Sequence, residues 1–360
     1  MKNAFWKDKK VLITGHTGFK GSWLSLWLQG LGANVVGYAL SPPTTPSLFE
    51  MARVADGMTS ISGDTRDLEH LQAVFDEHRP EIVIHLAAQA LVPYSYRHPV
   101  ETYATNVMGT VNVLEAIRQS EGVRGVVSIT SDKCYQDQKW LWGYRESDPM
   151  GGYDPYSSSK GCSELVISAY RNSYFSAQEH QRHGVALAST RAGNVIGGGD
   201  WAANRLVPDI VRAFMANRPV VIRYPDAIRP WQHVLEPLNG YLIVAKKLWE
   251  HGPEFAQAWN FGPDDASARP VSEVVERLTR LWGENARWEL DSASHPYEAA
   301  CQRLDCAKSR SLLGWSPKLD LLTTLEWIVE WYRGYQQKQD MRQLTQTQIA
   351  RYTEWRQYDA

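Results

Sequence analysis

The sequence has 360 residues, with 38 Lys or Arg and 40 Asp or Glu, so its formal net charge at pH 7 is -2. At about 150 residues per domain, this length predicts about two domains, and such a chain can bury a large core without a disulfide or metal staple. The balanced charge gives no indication of wholesale binding to nucleic acid or to a membrane.

The four cysteines, Cys134, Cys162, Cys301 and Cys306, form no C-x-x-C pair. We therefore expect reduced thiols in a cytosolic protein, and the histidines show no metal-ligand spacing, so we expect no metal site. No run approaches the ~18 apolar residues of a transmembrane helix. The N-terminal apolar run, "VLIT", is shorter than the about 7–15 apolar residues of a signal peptide.

The first half of the chain alternates short apolar runs with amphipathic segments. Strands are predicted at "KKVLITG", "NVVGYAL", "EIVIHLAA", "GVVSITS" and "VALAST". Helices are predicted at "KGSWLSLWLQGLG", at "DLEHLQAVFDEHRP", over residues 99–120 and from about Tyr156 to Tyr170. This alternation predicts an α/β fold, a Rossmann-type doubly wound parallel sheet with helices on both faces.

The chain after residue 190 is less regular and is rich in Gly, Pro and Trp, and helices return at about 271–282 and 321–337. We interpret it as a smaller, mixed C-terminal substrate domain interleaved with the end of the first. The predicted cofactor domain comprises residues 1–190 and about 228–262, and the substrate domain comprises 191–227 and 263–360. The "GGG" at 197–199 favours a mobile lid or simply a turn, and the Gln-rich tail, 334–360, favours a solvated helix.

The stretch "VLITGHTGFKGSWL" places a glycine turn between a predicted strand and a predicted helix. The N–H groups and the dipole at a helix start favour a pyrophosphate, and glycines let phosphates approach the backbone. We therefore predict a dinucleotide site, the alternative being a purely structural turn. The candidate cofactor-binding residues of this turn are Gly15, His16, Thr17, Gly18, Phe19 and Gly21.

The ribose-binding position does not distinguish NAD from NADP. The region about 20 residues after the glycine turn usually carries an acid for the ribose hydroxyls. Here it reads "GYALSPP", with neither an acid nor an arginine for a 2′-phosphate. Asp64 in "SGDTRD" is a candidate for the adenine edge, and its alternative role is the N-cap of the helix before Leu68.

A catalytic pair is predicted at Tyr156 and Lys160, which share one helix face at i and i+4. Ser131, in "TSDK", follows a strand, where ligands bind in parallel sheets. A tyrosine acts as a base near neutral pH only if its pKa falls from ~10. We expect the Lys160 ammonium, the nicotinamide ring and a Ser131 hydrogen bond to lower it. This apparatus moves a hydride between a carbinol and a nicotinamide.

Several motifs together resemble the extended short-chain dehydrogenase/reductase family over nearly the whole chain. They are "TGHTGFKG", "HLAAQ", "NVMGT" and Tyr-x-x-x-Lys with an upstream serine. The stretches "GHTGFKGSWL", "ITSDKCY", "GGYDPYSSSKGC" and "RAGNVIGGGDW" resemble the sugar-nucleotide 4,6-dehydratases of this family. Most of these have glutamate where this chain has Lys133, and the lysine resembles the CDP-glucose branch.

The resemblance implies NAD as cofactor, with Leu86, Ala87 and Ala88 joining Tyr156 and Lys160 in holding it. It implies CDP-glucose as substrate and a homodimer that pairs through helices near residues 100–118 and 156–170.

The resemblance also implies the roles in the reaction. Tyr156 would take the proton of the sugar 4-hydroxyl, and Asp132 would protonate the hydroxyl that leaves carbon 6. Lys133 would remove the carbon 5 proton or stabilise the enolate; its alternative role is a surface ion pair with Asp132. Asn194 and Arg229 would bind the diphosphate, which suits the arginine fork, although Asn194 is also typical of a turn. The segment 295–305 would line the nucleotide pocket.

Two other interpretations remain open. The first is another enzyme of this fold, a TDP-, UDP- or GDP-sugar 4,6-dehydratase or a 4-epimerase, although an epimerase needs no "SDK" acid–base pair. The second is a non-catalytic NAD-sensing regulator, which could lose Tyr156 and Lys160, whereas this chain keeps both.

Overall fold

The computed structural model of the protein describes residues 4–283, 285–291 and 303–355. The strands are β1 (Lys10–Thr14), β2 (Asn34–Ala39), β3 (Thr59–Ser62), β4 (Ile82–His85), β5 (Gly125–Ile129), β6 (Ala186–Arg191), β7 (Val195–Ile196), β8 (Val220–Ile222), β9 (Ile228–Pro230), β10 (Gln232–His233), β11 (Ala258–Asn260), β12 (Ala268–Pro270) and β13 (Trp288–Leu290). The helices are α1 (Phe19–Gly30), α2 (Leu48–Met51), α3 (Leu68–His78), α4 (Val92–Arg97), α5 (Pro99–Tyr103), α6 (Gly109–Gln119), α7 (Pro155–Asn172), α8 (His180–His183), α9 (Leu206–Met215), α10 (Leu235–His251), α11 (Val271–Trp282), α12 (Ala307–Leu313), α13 (Leu321–Gln336) and α14 (Met341–Glu354).

The central sheet has seven parallel strands in the order β11-β6-β5-β4-β1-β2-β3. Successive side chains of β1 point to opposite faces, as a strand requires. Val11 and Ile13 pack in one core with α1 and α10, whereas Leu12 packs in a second core with α3, α6 and α7. Helices therefore cover both faces, and the predicted α/β fold class is confirmed.

The chain after β6 builds small sheets before it returns to the large one. β7 pairs with β10, β8 with β13 and β9 with β12, each as a two-stranded sheet. β11 then joins β6, with Ala258 opposite Ser189. The chain thus re-enters the large sheet within the segment 228–262, which the sequence assigned to the cofactor domain. The division into domains stays a prediction.

Three helical segments differ from the sequence interpretation. The helix predicted over residues 99–120 is divided into α5, a π-helical turn at Ala104–Met108 and α6. The sequence analysis missed α10, because apolar side chains surround it and weaken the one-sided pattern of a surface helix. The tail does form a helix, α14, but it is docked, since Met341, Ile349 and Tyr352 are buried.

The carboxyl ends of β1, β4, β5 and β6 lie at the same edge of the sheet. The glycine turn, the Leu86–Ala88 segment, the Ser131–Lys133 turn and Asn194 follow these strands, so the fold gathers them at one edge. Among the helices of the described residues, none has the length and apolarity needed to cross a membrane.

Candidate active site

The glycine turn is shaped by close backbone contacts. Gly15 has a φ of +78°, and a Cβ there would lie 2.8 Å from the Ala87 nitrogen. A Cβ at Gly21 would overlap the Gly15 carbonyl oxygen. Gly18 precedes α1 without a side-chain cap, and the first turn of α1 has no acid. The helix start therefore offers uncapped N–H groups above a cradle that a Cβ at Gly15 or Gly21 would fill, which fits a dinucleotide pyrophosphate.

The side chains of the turn tie it to its surroundings. The buried His16 ring covers Gly37, and its Nε2 lies 2.7 Å from the Ser60 Oγ. Burial lowers the pKa of His16 to about 4, so the ring is neutral at pH 7. Thr17 donates to the Leu40 carbonyl oxygen at 2.8 Å. His16 and Thr17 thus fix the turn with their side chains.

The end of β4 lies directly beside this turn, at Gly15. The Leu86 N–H donates to the Thr14 carbonyl oxygen at 3.1 Å. The Ala87 N–H donates to the Thr14 Oγ1 at 3.2 Å. The structure therefore brings the Leu86–Ala88 segment to Gly15, although the two are some 70 residues apart in sequence.

Asp64 is held by its neighbour Arg66 in the loop after β3. The Arg66 Nε lies 3.0 and 2.9 Å from the two carboxylate oxygens, and the Arg66 N–H donates to Oδ1 at 2.9 Å. The hydrogen bond from the Arg66 side chain lowers the pKa of Asp64. The N-cap of α3 is Asp67, which accepts from the His70 N–H at 3.0 Å. The alternative role of Asp64 as that N-cap is therefore wrong.

Tyr156 and Lys160 lie one turn apart at the start of α7. Asp154 caps this helix by accepting from the Ser157 N–H at 3.0 Å, and Pro155 begins it. The Tyr156 N–H donates to the Ser95 Oγ at 3.2 Å. Both side chains are buried, with 8% of Tyr156 and 6% of Lys160 exposed. Burial lowers the pKa of Lys160 to about 8.

The pKa of Tyr156 is raised to about 12, because burial disfavours the phenolate. A hydrogen bond with Ser131 lowers it, the Asp132 carboxylate raises it, and the Arg205 guanidinium lowers it. The lowering that the sequence led us to expect is therefore not achieved by these side chains alone. We also expected the positive nicotinamide ring to lower the pKa of Tyr156, and that ring is present only when the cofactor is bound.

The segment after β5 forms a compact polar turn. Ser131 donates to the Asp132 Oδ1 at 2.8 Å and accepts from the Lys133 N–H at 3.2 Å. Asn194 donates to the Asp132 Oδ2 at 3.5 Å, and Gly193 lies so close that a Cβ there would overlap this carboxylate. Within the described residues no ion pair joins Asp132 to Lys133, which argues against the surface ion pair as the role of Lys133.

A buried network fixes α7 to the strands beneath it. The Arg191 Nε and Nη2 donate to the two Glu164 oxygens at 2.9 and 2.8 Å. Ser189 donates to Glu164 at 2.8 Å, and Arg191 also donates to the Tyr135 hydroxyl at 2.6 Å. Because Glu164 is one turn after Lys160, this network sets the position of the catalytic pair relative to β6.

The two residues predicted to bind the diphosphate, Asn194 and Arg229, lie in different parts of the structure. Asn194 has a φ of +50° and lies beside Asp132, so the turn geometry and the site contact are both present. Arg229 lies on β9, opposite Arg269 of β12. Of the segment 295–305, residues 295–302 lie outside the described residues, and Leu304 forms a bridge with Tyr144.

Three charged residues at this site escaped the sequence analysis: Lys20, Asp200 and Arg205. Lys20 is in the first turn of α1, between Gly18 and Gly21 of the cradle. Its positive charge at this position is the feature of the sequence that could have identified it. Arg205 pairs with Asp200 at 3.0 Å, and both interact electrostatically with Lys20. Nothing in the local sequence of Asp200 or Arg205 indicates that they approach α1.

Comparisons with known proteins agree with this geometry. The sequence model of the NAD dependent epimerase/dehydratase family matches residues 11–259. The CDP-glucose 4,6-dehydratase of Salmonella typhimurium is 56% identical over 348 residues, which cover 97% of each chain. The UDP-glucose 4-epimerase of Thermus thermophilus, solved with NAD, is 25% identical with a TM-score of 0.75 and covers 90% of this chain and 99% of its own. The dTDP-glucose 4,6-dehydratase of Bacillus anthracis, solved with NAD, shares the fold at 20% identity, with a TM-score of 0.74 over 93% of this chain and 99% of its own.

Proposed function

The chain belongs to the NAD dependent epimerase/dehydratase family, and we propose that within it the protein converts CDP-D-glucose to CDP-4-keto-6-deoxy-D-glucose and water. The identity of 56% to a CDP-glucose 4,6-dehydratase, along almost the whole of both chains, supports the substrate. The site observation that carries the proposal is the Ser131-Asp132-Lys133 turn beside Tyr156. This turn carries an acid and a candidate base directly after Ser131, and such a pair supports a dehydratase, which needs it, over a 4-epimerase, which does not.

NAD is the cofactor, as in the relatives that were solved with it. The cradle of Gly15, Gly18 and Gly21 would hold its pyrophosphate, with the Leu86–Ala88 segment against it and Asp64 towards the adenine. When bound, NAD accepts a hydride from carbon 4 of the sugar and returns it to carbon 6.

Tyr156 is the proposed base for the 4-hydroxyl. Its proton affinity in the protein alone is too high for this role, with a pKa of about 12. The nearby Ser131 and Arg205 lower that pKa, and a cationic ring beside the phenol lowers it further. We assign Ser131 to hold the same sugar oxygen, and Lys160 to supply the ammonium of the pair.

Asp132 and Lys133 are the proposed elimination pair. The carbon 5 proton goes to Lys133, its bonding electrons form the double bond to carbon 6, and the carbon 6 oxygen leaves with the electrons of its own bond. Asp132 protonates that oxygen, which departs as water. Ser131 and Asn194 hold the carboxylate for this transfer, at 2.8 and 3.5 Å. Asn194 and Arg229 are assigned to the diphosphate.

The proposed assembly is a homodimer that pairs through α5, α6 and α7. Large apolar side chains on and beside these helices face solvent in the single chain: Val100 is 81% exposed, Met108 52% and Leu165 62%. Exposed apolar groups on neighbouring helices are typical of a surface that another subunit covers. The product would feed cytoplasmic synthesis of deoxysugars for O-antigen polysaccharide.

The deciding experiment offers the purified protein CDP-, TDP-, UDP- and GDP-glucose with NAD and measures the 4-keto product. We expect CDP-glucose to have at least a tenfold higher kcat/KM than the others, or ~1.4 kcal/mol in transition-state stabilisation. Equal use of TDP-glucose would refute the CDP assignment and keep the dehydratase assignment. A product epimerised at carbon 4, with no loss of water, would refute both.

A second measurement tests the proposed base. Tyr156→Phe keeps the ring and removes the hydroxyl, so we expect turnover to fall by ~10²-fold or more, with NAD affinity retained. Lys160→Met should lower both turnover and NAD affinity. If Tyr156→Phe retains more than a tenth of the activity, Tyr156 is not the base.

A further inference from the structure

His85 is a buried histidine that joins the end of β1 to α6. It ends β4, directly before the Leu86–Ala88 segment. Its Nδ1 lies 2.7 Å from the Thr14 Oγ1, and its Nε2 lies 3.2 Å from the Thr110 Oγ1. The three side chains are at most 3% exposed, so the protein interior, rather than water, supplies these hydrogen bonds. Both ring nitrogens are therefore engaged, one towards the strand of the cofactor cradle and the other towards α6.

The partners of His85 fix the direction of each hydrogen bond. Thr110 donates its hydroxyl proton to the Asn106 carbonyl oxygen at 2.6 Å, so it accepts from the His85 Nε2–H. Thr14 accepts from the Ala87 N–H at 3.2 Å, and the acceptor for its own hydroxyl proton among the described residues is the His85 Nδ1. The ring is therefore neutral, with its proton on Nε2. Burial lowers the pKa of His85 to about 3, which agrees with a neutral ring at pH 7.

Asn106 continues this chain of hydrogen bonds to α7. It lies in the π-helical turn between α5 and α6, and such turns are frequent at functional sites. Ser163 shares its hydroxyl proton between the carbonyl oxygens of Asn106 and Ser159, each at 2.9 Å. The Asn106 amide donates to the Ser159 Oγ at 2.8 Å, and Ser159 donates to the Tyr156 carbonyl oxygen at 2.7 Å. These contacts therefore hold the turns of α7 that carry Tyr156 and Lys160.

We propose that His85 is a positioning residue of the hydride transfer, which holds the Leu86–Ala88 segment and α7 in a fixed relation through its hydrogen bonds to Thr14 and Thr110. The inference rests on the proposed function, because the catalytic pair on α7 receives its role there. Hydride transfer requires the two reacting carbons in close and aligned contact, and a displacement of about 1 Å can cost ~10²-fold in rate. His85 acts on that alignment through the two threonines.

Two substitutions separate the two hydrogen bonds of the ring. The carboxamide of asparagine reaches about as far as Nδ1, and that of glutamine about as far as Nε2. His85→Asn therefore keeps the bond to Thr14, whereas His85→Gln keeps the bond to Thr110. We expect the rate constant for the first rise of NADH absorbance, in a single turnover of CDP-glucose, to fall at least ~10-fold in His85→Asn and to stay within about threefold of wild type in His85→Gln.

An isotope effect distinguishes positioning from a loss of folded protein. With CDP-glucose deuterated at carbon 4, the primary isotope effect should rise in His85→Asn, because hydride transfer becomes slower than the other steps. A smaller folded fraction lowers the amplitude of the absorbance change but alters neither its rate constant nor the isotope effect. The tautomer is tested without substrate, since the ¹⁵N shifts of His85 should show one protonated and one bare nitrogen between pH 5 and 8.

Two further variants serve as controls. His233 is also buried, and its Nδ1 accepts from the Leu235 N–H at 3.3 Å. His233→Asn should lower the free energy of unfolding and leave the isotope effect unchanged. Thr110→Val cuts the same chain, so it should slow the hydride step by itself. Adding His85→Asn to it should cost at least ~3-fold less in rate than the two single changes predict together.

The proposal is overturned if His85→Asn keeps the wild-type rate constant and isotope effect, or if His85→Asn and His85→Gln are equally slow. A second ring proton on His85 at pH 5 would also overturn it. If His85→Asn does not fold, Thr110→Val alone decides, and a wild-type isotope effect in that variant refutes the proposal. Wild-type turnover of CDP-glucose tests the proposed function separately, and if another sugar nucleotide is the substrate, the same variants are compared on it.

Discussion

The cradle of Gly15, Gly18 and Gly21 and the run of Gly197, Gly198 and Gly199 approach each other at Phe19, yet each needs glycine for a different reason. In the cradle, backbone lies against backbone: a Cβ at Gly21 would overlap the Gly15 carbonyl oxygen. In the second run, backbone lies against side chains: a Cβ at Gly198 would overlap the indole of Trp331. A side chain can be replaced or can repack, whereas a neighbouring carbonyl cannot, so the two regions should respond differently to the same added methyl.

The second run is also fixed rather than mobile. Its residues are buried, and the Trp23 Nε1 donates to the Gly198 carbonyl oxygen at 2.9 Å. Gly199 has a φ of +81°, which favours glycine for its backbone. Of the two interpretations from the sequence, a mobile lid or a turn, the structure shows a packed turn beside the site.

The largest effect is expected at the cradle, from Gly21→Ala. The added methyl meets the Gly15 carbonyl oxygen, so the helix start must move away from the turn. We expect a loss of about 4 kcal/mol or more in the free energy of unfolding, the range of severe core substitutions. Where the variant folds, its NAD affinity should fall at least ~100-fold, or ~2.7 kcal/mol. Urea unfolding and an NAD titration measure both, and near wild-type values would show that the cradle is loose.

This difference also explains how much the sequence could predict. The cradle is a local pattern, in which strand, turn and helix are contiguous, and so Gly15 and its neighbours were found without the structure. The Tyr156–Lys160 pair and the Asp132 turn were found in the same way. By contrast, Gly198 packs against Trp331 and Gly199 packs against Leu48, and these contacts join distant segments. No local pattern encodes them, and α10 was missed because it is buried on several sides.

Two buried carboxylates allow a second comparison, between Glu164 on the cofactor side and Glu236 on the C-terminal side. Burial would raise the pKa of Glu164, but Arg191 holds it below the ordinary value. Glu236 has no such arginine bond: it accepts from the Lys318 and Leu319 N–H groups at 2.9 and 2.7 Å and from the Tyr352 hydroxyl at 2.7 Å. Burial raises the pKa of Glu236 from 4.5 to about 7.

The second prediction is that the free energy of unfolding depends on pH through Glu236, and that Glu236→Gln removes this dependence. Because the folded pKa of Glu236 exceeds the unfolded one, its contribution to stability is complete below pH 4.5 and is lost as pH rises through about 7. The shift corresponds to roughly 3 kcal/mol of unfolding free energy. Glu236→Gln should flatten this part of the profile, and the exposed Glu326→Gln should not. Urea unfolding between pH 5 and 8 measures it, and equal slopes in wild type and Glu236→Gln would contradict the assignment.

A smaller effect is expected from Gly198→Ala. The methyl would overlap the fully buried Trp331 ring, and overpacking of this kind costs about 1–3 kcal/mol. If the clash is with a side chain, Trp331→Leu should relieve part of it. The double variant should then be more stable than the sum of the single changes predicts, by at least ~0.5 kcal/mol. If the two changes are strictly additive, the added methyl at Gly198 does not clash with the Trp331 side chain. Its cost would then come from the backbone, as it does at Gly21.

The smallest effect, and the only gain, is expected from Gly30→Ala at the other end of the helix that carries Gly21. No atom lies within 4 Å of a Cβ at Gly30, and the residue is exposed in the last turn of α1. Replacing a helical glycine by alanine reduces the conformational entropy of the unfolded chain, so the variant should be more stable by about 0.5–1 kcal/mol. NAD affinity should stay the same, because the start of the helix is undisturbed. The measurements are those used for Gly21→Ala, and the pair therefore separates the effect of a methyl in this helix from its effect in the cradle. A loss of NAD affinity in Gly30→Ala would show that the whole helix, rather than the contact between Gly15 and Gly21, controls cofactor binding.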